Sequence, residues 1–277
     1  MTTKTDTDGA AVAAPGSSTP KLSLREVGLG YRTPNGRFTA LTGVSLDLAA
    51  GEFVALVGPS GCGKSTLLKL IAGLLPATTG EILLDGVPVP DGVPDGVGLV
   101  FQSDALFPWR TVADNIRFPL ALKGVPAERQ REEVRRLVDL VGLTSFEQRY
   151  PNQLSGGMRK RVGIARALAY DPGVYLMDEP FGPLDAQMRI RLGGEFLSIW
   201  ETLGKSVVFV THDVEEAVAM ADRVLVMSRG PGTIKEEFTI GLERPRHFQE
   251  VRFEPEFQRL QRAIWRSLAE EFDEERR

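Results

Sequence analysis

"FVALVGPSGCGKST", residues 53 to 66, decides the fold. Its first five residues, Phe53 to Val57, are apolar without interruption, the pattern of a strand covered on both faces. Glycines follow at 58, 61 and 63, then Lys64 and Ser65, which fits G-x-x-x-x-G-K-[ST]. The next stretch, "STLLKLIAGLL", reads as a helix. A strand, a glycine-rich turn and a helix in that order are what a phosphate-binding loop requires. Glycines let backbone N–H groups curl around phosphate oxygens, a lysine supplies positive charge to the β- and γ-phosphates, and the hydroxyl after it ligates Mg2+. Gly58, Pro59, Ser60, Gly61, Cys62, Gly63, Lys64, Ser65 and Thr66 are therefore the candidate nucleotide cradle, with Ser65 a metal ligand. A chance glycine-rich turn is the competing reading, and the flanking strand and helix oppose it.

Outward from this loop, similar apolar runs recur at "VGLVF" (97–101), "VYLM" (174–177), "SVVFV" (206–210) and "RVLVM" (223–227), with helical stretches between most of them. The expected fold is α/β with a mostly parallel core sheet. "LSLREVGLGY" and "RFTALTGVSLDL" alternate as half-buried strands do, around a turn at Pro34–Gly36, and add an antiparallel N-terminal β portion. From Ser103 to Tyr170 the alternation stops. Thr111 and Asp114 form a capping-box pattern, and Val134, Leu137, Val138 and Val141 recur at helical spacing. The expected division is a nucleotide-binding core at 21–102 and 171–228, a helical subdomain at 103–170, and a short extension at 229–277. The extension holds the strand-like "GTIKEEFTI" and a last helix from Pro255, striped by Phe257, Leu260, Ile264 and Leu268. Residues 1–20, rich in Ala, Thr, Ser, Pro and Gly, read as a disordered tail; they lack the basic start and apolar core of a signal peptide.

Bulk composition narrows the function. With 277 residues, 42% apolar and 25% charged, the chain has a soluble globular composition. Its 33 basic and 37 acidic residues leave a net charge of −4, which argues against nucleic acid as a partner. A single cysteine, Cys62, excludes an intrachain disulfide and suits a reducing compartment. The best apolar run, Leu67 to Leu75, is too short to cross a bilayer and carries Lys69 and Gly73.

Three further strand ends carry chemistry. "VYLMDEP" ends an apolar strand in two acids; side chains alternate along a strand, so Asp178 and Glu179 are expected to point different ways, Asp178 to Mg2+ and Glu179 to the attacking water. His212 ends "SVVFV" after Thr211, and Gln102 ends "VGLVF". A lone His there would be structural; beside a phosphate loop and an acidic pair it is placed for the γ-phosphate. One motif stands apart. "QLSGGMRKR", 153–161, opens a helix with Ser155, Gly156 and Gly157, and a glycine-opened helix start attracts an anion. Yet the chain already has a phosphate loop.

In order, Tyr31, Gly58–Thr66, Gln102, "LSGGM" (154–158), "MDEP" (177–180), "LD" (184–185) and His212 resemble the ATP-binding cassette (ABC) ATPases over about residues 22–228. The resemblance implies two cassettes paired head to tail, so that Ser155, Gly156 and Gly157 hold the γ-phosphate of ATP bound to the partner. It implies Tyr31 as an adenine platform, Gln102 as a Mg2+ ligand that joins the nucleotide site to the helical subdomain, Asp185 as a contact to the facing subunit, and Glu179, His212 and Gln102 as catalytic. Met158 stands where the family usually has Gln, and Pro183 where Ala or Ser is usual. "LSGGM", "MDEPFG" and "SRGPGTI" are most similar to the nitrate/sulfonate/taurine importer group. That implies permease subunits in the membrane, a solute-binding protein as an indirect partner, and a place on the cytoplasmic face of the membrane. "LFPW", 106–109, reads as an apolar docking patch for the permease, or else as packing inside the helical insertion. A P-loop kinase or GTPase would not explain "LSGGM"; a soluble ABC regulator of another protein or of a nucleic-acid complex is the alternative.

Overall fold

A computed structural model describes residues 19–33, 36–89, 92–103, 105–182 and 185–273. Most of the expected tail, the tip of the 34–36 turn, and Pro183 and Leu184 lie outside the described residues. The chain starts with β1 (Leu22–Thr33) and β2 (Gly36–Leu48), antiparallel from the Leu22–Leu48 pair to Thr33–Gly36. β3 (Phe53–Val57) enters a second sheet and runs into α1 (Lys64–Ile71). β4 (Thr79–Leu84) and β5 (Val87–Pro88) return to the first sheet, whose order is β2-β1-β4-β5. β6 (Val97–Val100) leads into α2 (Val112–Leu122), α3 (Ala127–Leu140) and α4 (Gly156–Tyr170). Then come β7 (Val174–Asp178), α5 (Ala186–Leu203), β8 (Ser206–Val210), α6 (Val214–Met220) and β9 (Arg223–Met227). β10 (Ile234–Thr239), α7 (Phe248–Val251) and α8 (Pro255–Asp273) finish the chain.

The second sheet has the order β10-β9-β3-β8-β7-β6; its strands pair in parallel except β10, which runs antiparallel to β9. All five residues of β3 are buried because both faces are covered. Phe53, Ala55 and Val57 face a core shared with α2 to α6 and α8, while Val54 and Leu56 face α1 and the antiparallel sheet. β7 and β8 split the same way, with Tyr175, Met177, Val207 and Phe209 on the helical side and Val174, Leu176, Val208 and Val210 on the other. This alternation across a continuously apolar strand is the pleat doing its work within a three-layer arrangement. The strand at Thr79–Leu84 has no counterpart in the sequence reading. Gly80 takes φ 76 against the backbone of Glu26, and the apolar residues are adjacent instead of alternating, so only pairing with β1 makes the segment extended.

Helix starts follow their caps. The Thr111 hydroxyl accepts from the Asp114 N–H at 3.1 Å and opens α2. Behind it sits Asn115, fully buried, which accepts from the Phe107 N–H at 2.8 Å and donates to the carbonyls of Phe107, Arg110 and Thr111 at 3.2, 3.1 and 2.9 Å. That single amide shapes the 107–111 turn. Asn115→Leu fills the space but strands these backbone groups, and a buried polar group without a partner costs roughly 1–3 kcal/mol. The variant is expected to lose about 2–4 kcal/mol in urea-unfolding stability; a loss under about 1 kcal/mol would show that water replaces the amide.

Candidate functional site

The site lies at the carboxyl edge of the parallel strands, where open α/β sheets bind ligands. Leu56 pairs with Val210, Val210 with Asp178, and Met177 with Val100, so β3, β8, β7 and β6 end side by side. The phosphate loop, His212, the acidic pair and Gln102 leave the sheet at that edge.

In the loop, Gly61 and Gly63 hold φ values of 78 and 104, and a Cβ at Gly63 would lie 2.5 Å from the Leu41 side chain. No side chain caps the start of α1. Its first N–H groups thus keep their donor capacity for an anion. Lys64 is buried and donates through Nζ to the carbonyls of Gly58 and Pro59 at 2.8 and 2.9 Å. Cys62 is also buried, its sulfur 3.7 Å from that Nζ, and its N–H donates to the Pro59 carbonyl at 3.3 Å.

Ser65 Oγ donates to Asp178 Oδ1 at 2.8 Å. Burial holds the Asp178 carboxyl above its ordinary range; the Ser65 bond opposes this, Glu179 adds to it, and Lys69 and Lys64 oppose it more weakly. A hydroxyl and a carboxylate that gains from nearby positive charge form a hard-oxygen pair, the donor set that suits Mg2+ shared with phosphates.

Asp178 and Glu179 do meet different partners, though strand alternation is not the reason. β7 ends at Asp178, and Glu179 turns into the left-handed region at φ 44 while its N–H donates to Val210 O at 2.9 Å. Its direction is set by that strained turn and not by the pleat; such a conformation costs about 1–3 kcal/mol and persists where surrounding contacts enforce it. Its Oε2 accepts from Gln102 Nε2 at 3.0 Å and lies 3.4 Å from His212 Nδ1. Residues from the ends of β6, β7 and β8 thus meet at one carboxylate oxygen.

The remaining candidates lie elsewhere. Ser155 is the exposed N-cap of α4, its hydroxyl accepting from the Met158 N–H at 3.3 Å, with Gly156 and Gly157 in the first turn. Asp185 caps α5 in the same manner through the Met188 N–H at 3.0 Å and is exposed. Gly157 is buried against Met188. Among the described residues no hydrogen bond joins either helix start to Gly58–Thr66. The Met158 side chain packs against the core, which accounts for an apolar residue at that position. Tyr31 is 39% exposed on β1, its ring nearly parallel to that of Phe38 across the hairpin, 6.5 Å between centroids. Phe38, passed over in the sequence, widens this flat apolar surface.

A second group missed in the sequence braces His212. Glu216 is buried and accepts from the Thr211 hydroxyl at 2.6 Å. Asp213 caps α6 through the N–H groups of Glu215 and Glu216 and accepts from Arg189 of α5 at 3.0 Å. The spacing Asp213-x-x-Glu216 fits a capping box and so signals a helix start, but nothing in it signals the bond with Thr211.

A family model described as ABC transporter matches residues 41–182. The taurine import ATP-binding protein TauB of Burkholderia pseudomallei is 43% identical over 258 residues, covering 92% of this chain and 99% of that protein. An uncharacterized ABC transporter ATP-binding protein of Methanocaldococcus jannaschii, MJ0412, is 48% identical over 233 residues, 84% of this chain and 87% of the relative. Among solved structures, the dimeric post-hydrolysis state of the ATP-binding cassette MJ0796 bound to ADP and Pi superposes with a TM-score of 0.71 at 33% identity, covering 80% of this chain and 100% of that one. The fold is that of these cassettes.

Burial pushes the Glu216 carboxyl up to about 7, against the Thr211 bond and the Arg189 charge, with Asp213 and Glu179 adding to the rise. The folded protein therefore holds this proton to higher pH than the unfolded chain does. Stability from this residue is full at low pH and is lost as pH rises from the ordinary glutamate range toward 7. Glu216→Gln removes the dependence. Its melting temperature relative to wild type is expected to increase steadily between about pH 4.5 and 7.5; a flat difference would refute the raised pKa.

Proposed function

This chain belongs to the ABC transporter family and is an ABC-type ATPase; we propose that it is the ATP-hydrolysing subunit of an importer for a small oxyanion or organic acid of the nitrate, sulfonate or taurine kind. The observation that carries the enzymatic part is the meeting of Gln102, Glu179 and His212 at one carboxylate oxygen, beside the Ser65–Asp178 pair on the phosphate loop. The solute class rests on the likeness to TauB, named a taurine import protein, along 92% of this chain. The same likeness favours transport over a soluble regulator.

In this reading Lys64 exchanges its bonds to the Gly58 and Pro59 carbonyls for phosphate oxygens, and the uncapped N–H groups of α1 receive the β-phosphate. Tyr31 stacks on adenine. Ser65, Asp178 and the Gln102 amide oxygen would hold Mg2+, which when bound would neutralise charge at the phosphates. Glu179 orients the attacking water and takes its proton; the Gln102 N–H holds the carboxylate, and exposed His212 faces the γ-phosphate. The 103–170 region acts as the signature subdomain. Ser155, Gly156 and Gly157 close on the nucleotide of a second copy in a head-to-tail dimer, across which Asp185 makes contact; MJ0796 is itself dimeric. A groove of about 490 Å3, lined by Phe101, Phe107, Phe118, Leu122 and Tyr170 beside the exposed Trp109, receives the membrane permease. The chain thereby sits on the cytoplasmic face of the membrane, with the solute-binding protein reached only through the permease.

Glu179→Gln is expected to bind ATP normally and to hydrolyse it roughly 10² to 10⁴ times more slowly, the usual cost of losing a general base. In size-exclusion chromatography with ATP the variant should persist as a dimer. Normal turnover would refute the assignment.

A mixing experiment tests the head-to-tail arrangement. Lys64→Ala spoils a chain's own phosphate loop, and Ser155→Arg blocks the site completed on the partner. In a mixed dimer of the two inactive proteins both lesions fall in one composite site and the other stays intact. Mixing should restore ATPase activity, at most to about half of wild type per mixed dimer if the sites fire independently. If mixed dimers form yet neither bind nor hydrolyse ATP, Ser155 does not act on the partner's nucleotide.

A further inference from the structure

The segment leaving β6 is gripped by the helices on one side and reaches the core on the other. Lys160 Nζ, on α4, donates to the carbonyl of Gln102. Further along the same helix Arg166 donates to the carbonyl of Ala105 at 2.7 Å and lies 5.6 Å from the Phe107 ring. Asn115 of α2 holds both backbone groups of Phe107. The backbone at Gln102, Ala105 and Phe107 is therefore attached to the helices. The Gln102 side chain points the other way, its Nε2 3.0 Å from Glu179 Oε2 at the end of β7. Gln102 is thus the residue at which the two attachments meet. Lys160 is only 5% exposed, and a buried ammonium must spend its hydrogen bonds on protein acceptors.

We propose that Lys160 is a positioning residue for hydrolysis: by tying the Gln102 carbonyl to the signature helix it keeps the Gln102 amide on Glu179. It also sets the length of the path between the two ends of the machinery. Ser155 and Lys160 lie on one rigid helix about 7.5 Å apart along its axis. Any seating of the Ser155 end against a partner's nucleotide then moves the Gln102 backbone with it, and the chain's own base feels the change through two hydrogen bonds. The inference rests on the roles of Gln102, Glu179 and Ser155 proposed above.

Lys160→Met keeps the aliphatic stem and removes the donor; Lys160→Arg keeps a donor. In the full-length protein Lys160→Met is expected to bind ATP within about twofold of wild type, while kcat falls roughly tenfold or more, as misplacement of a positioned group does. Lys160→Arg should recover most of the rate. Without nucleotide, amide hydrogen exchange over residues 101–107 should quicken in Lys160→Met. The decisive reading is a double-mutant cycle. With Gln102→Ala already present, adding Lys160→Met should cost less than about twofold further, because the tether has nothing left to position. A product of the two single losses overturns the proposal, as does unchanged exchange or a wild-type kcat in Lys160→Met. Should Lys160→Met fail to fold, Lys160→Leu, which also removes the donor, takes its place in the same cycle. Wild-type kcat in Gln102→Ala alone would remove the catalytic role of Gln102 and this proposal with it; a Gln102→Ala defect with multiplicative losses removes only the role of Lys160.

Discussion

The parallel pairing of β3 with β8, β8 with β7 and β7 with β6 fixes where each segment leaves the sheet. Because Leu56, Val210, Asp178 and Val100 reach the edge together, four loops far apart in the chain start from one line. A parallel sheet needs both faces covered, and here α1 with the antiparallel sheet takes one face and the remaining helices the other. The chemistry is left to the loops, which depend on the register being right: a shift by one residue would turn every core side chain to the wrong layer.

At that edge the charges are unevenly matched. Asp178, Glu179, Asp213 and Glu216 lie near one another, with Arg189, Lys69 and Lys64 as nearby fixed cations, and burial raises the carboxyls of Asp178 and Glu216. Such an arrangement suits a site completed by a cation and a polyanion together, since each removes the penalty that the other would face alone. The strained φ of Glu179 belongs to the same economy, because the turn that strains it also carries its carboxylate to Gln102 and His212.

The helices give the site its second dimension. α4 presents Ser155 at its exposed start and, within two turns, holds the backbone of Gln102. The bracing group around Thr211 does the corresponding work for His212, joining α5 and α6 to the loop after β8. Both residues around the Glu179 carboxylate, Gln102 and His212, are thus anchored by elements that also carry the surfaces proposed to meet a second copy.

By itself, the amino-acid sequence determined the phosphate loop, the five core strands, the capped helix starts and the identity of Asp178, Glu179, Gln102, His212 and Ser155 as candidates, because each is a local pattern of a few adjacent residues. The β-strand at Thr79–Leu84, the left-handed turn at Glu179, the ring of Phe38 beside Tyr31, the bond of Thr211 to Glu216 and the grip of Lys160 on Gln102 were decided only by the tertiary structure. Lys160 looks like one basic residue in a solvated run until α4 packs beside β6, and Glu216 like one acid at a helix start until Thr211 closes over it. Their roles come from burial and from partners that the chain brings together on folding, and a linear pattern carries neither.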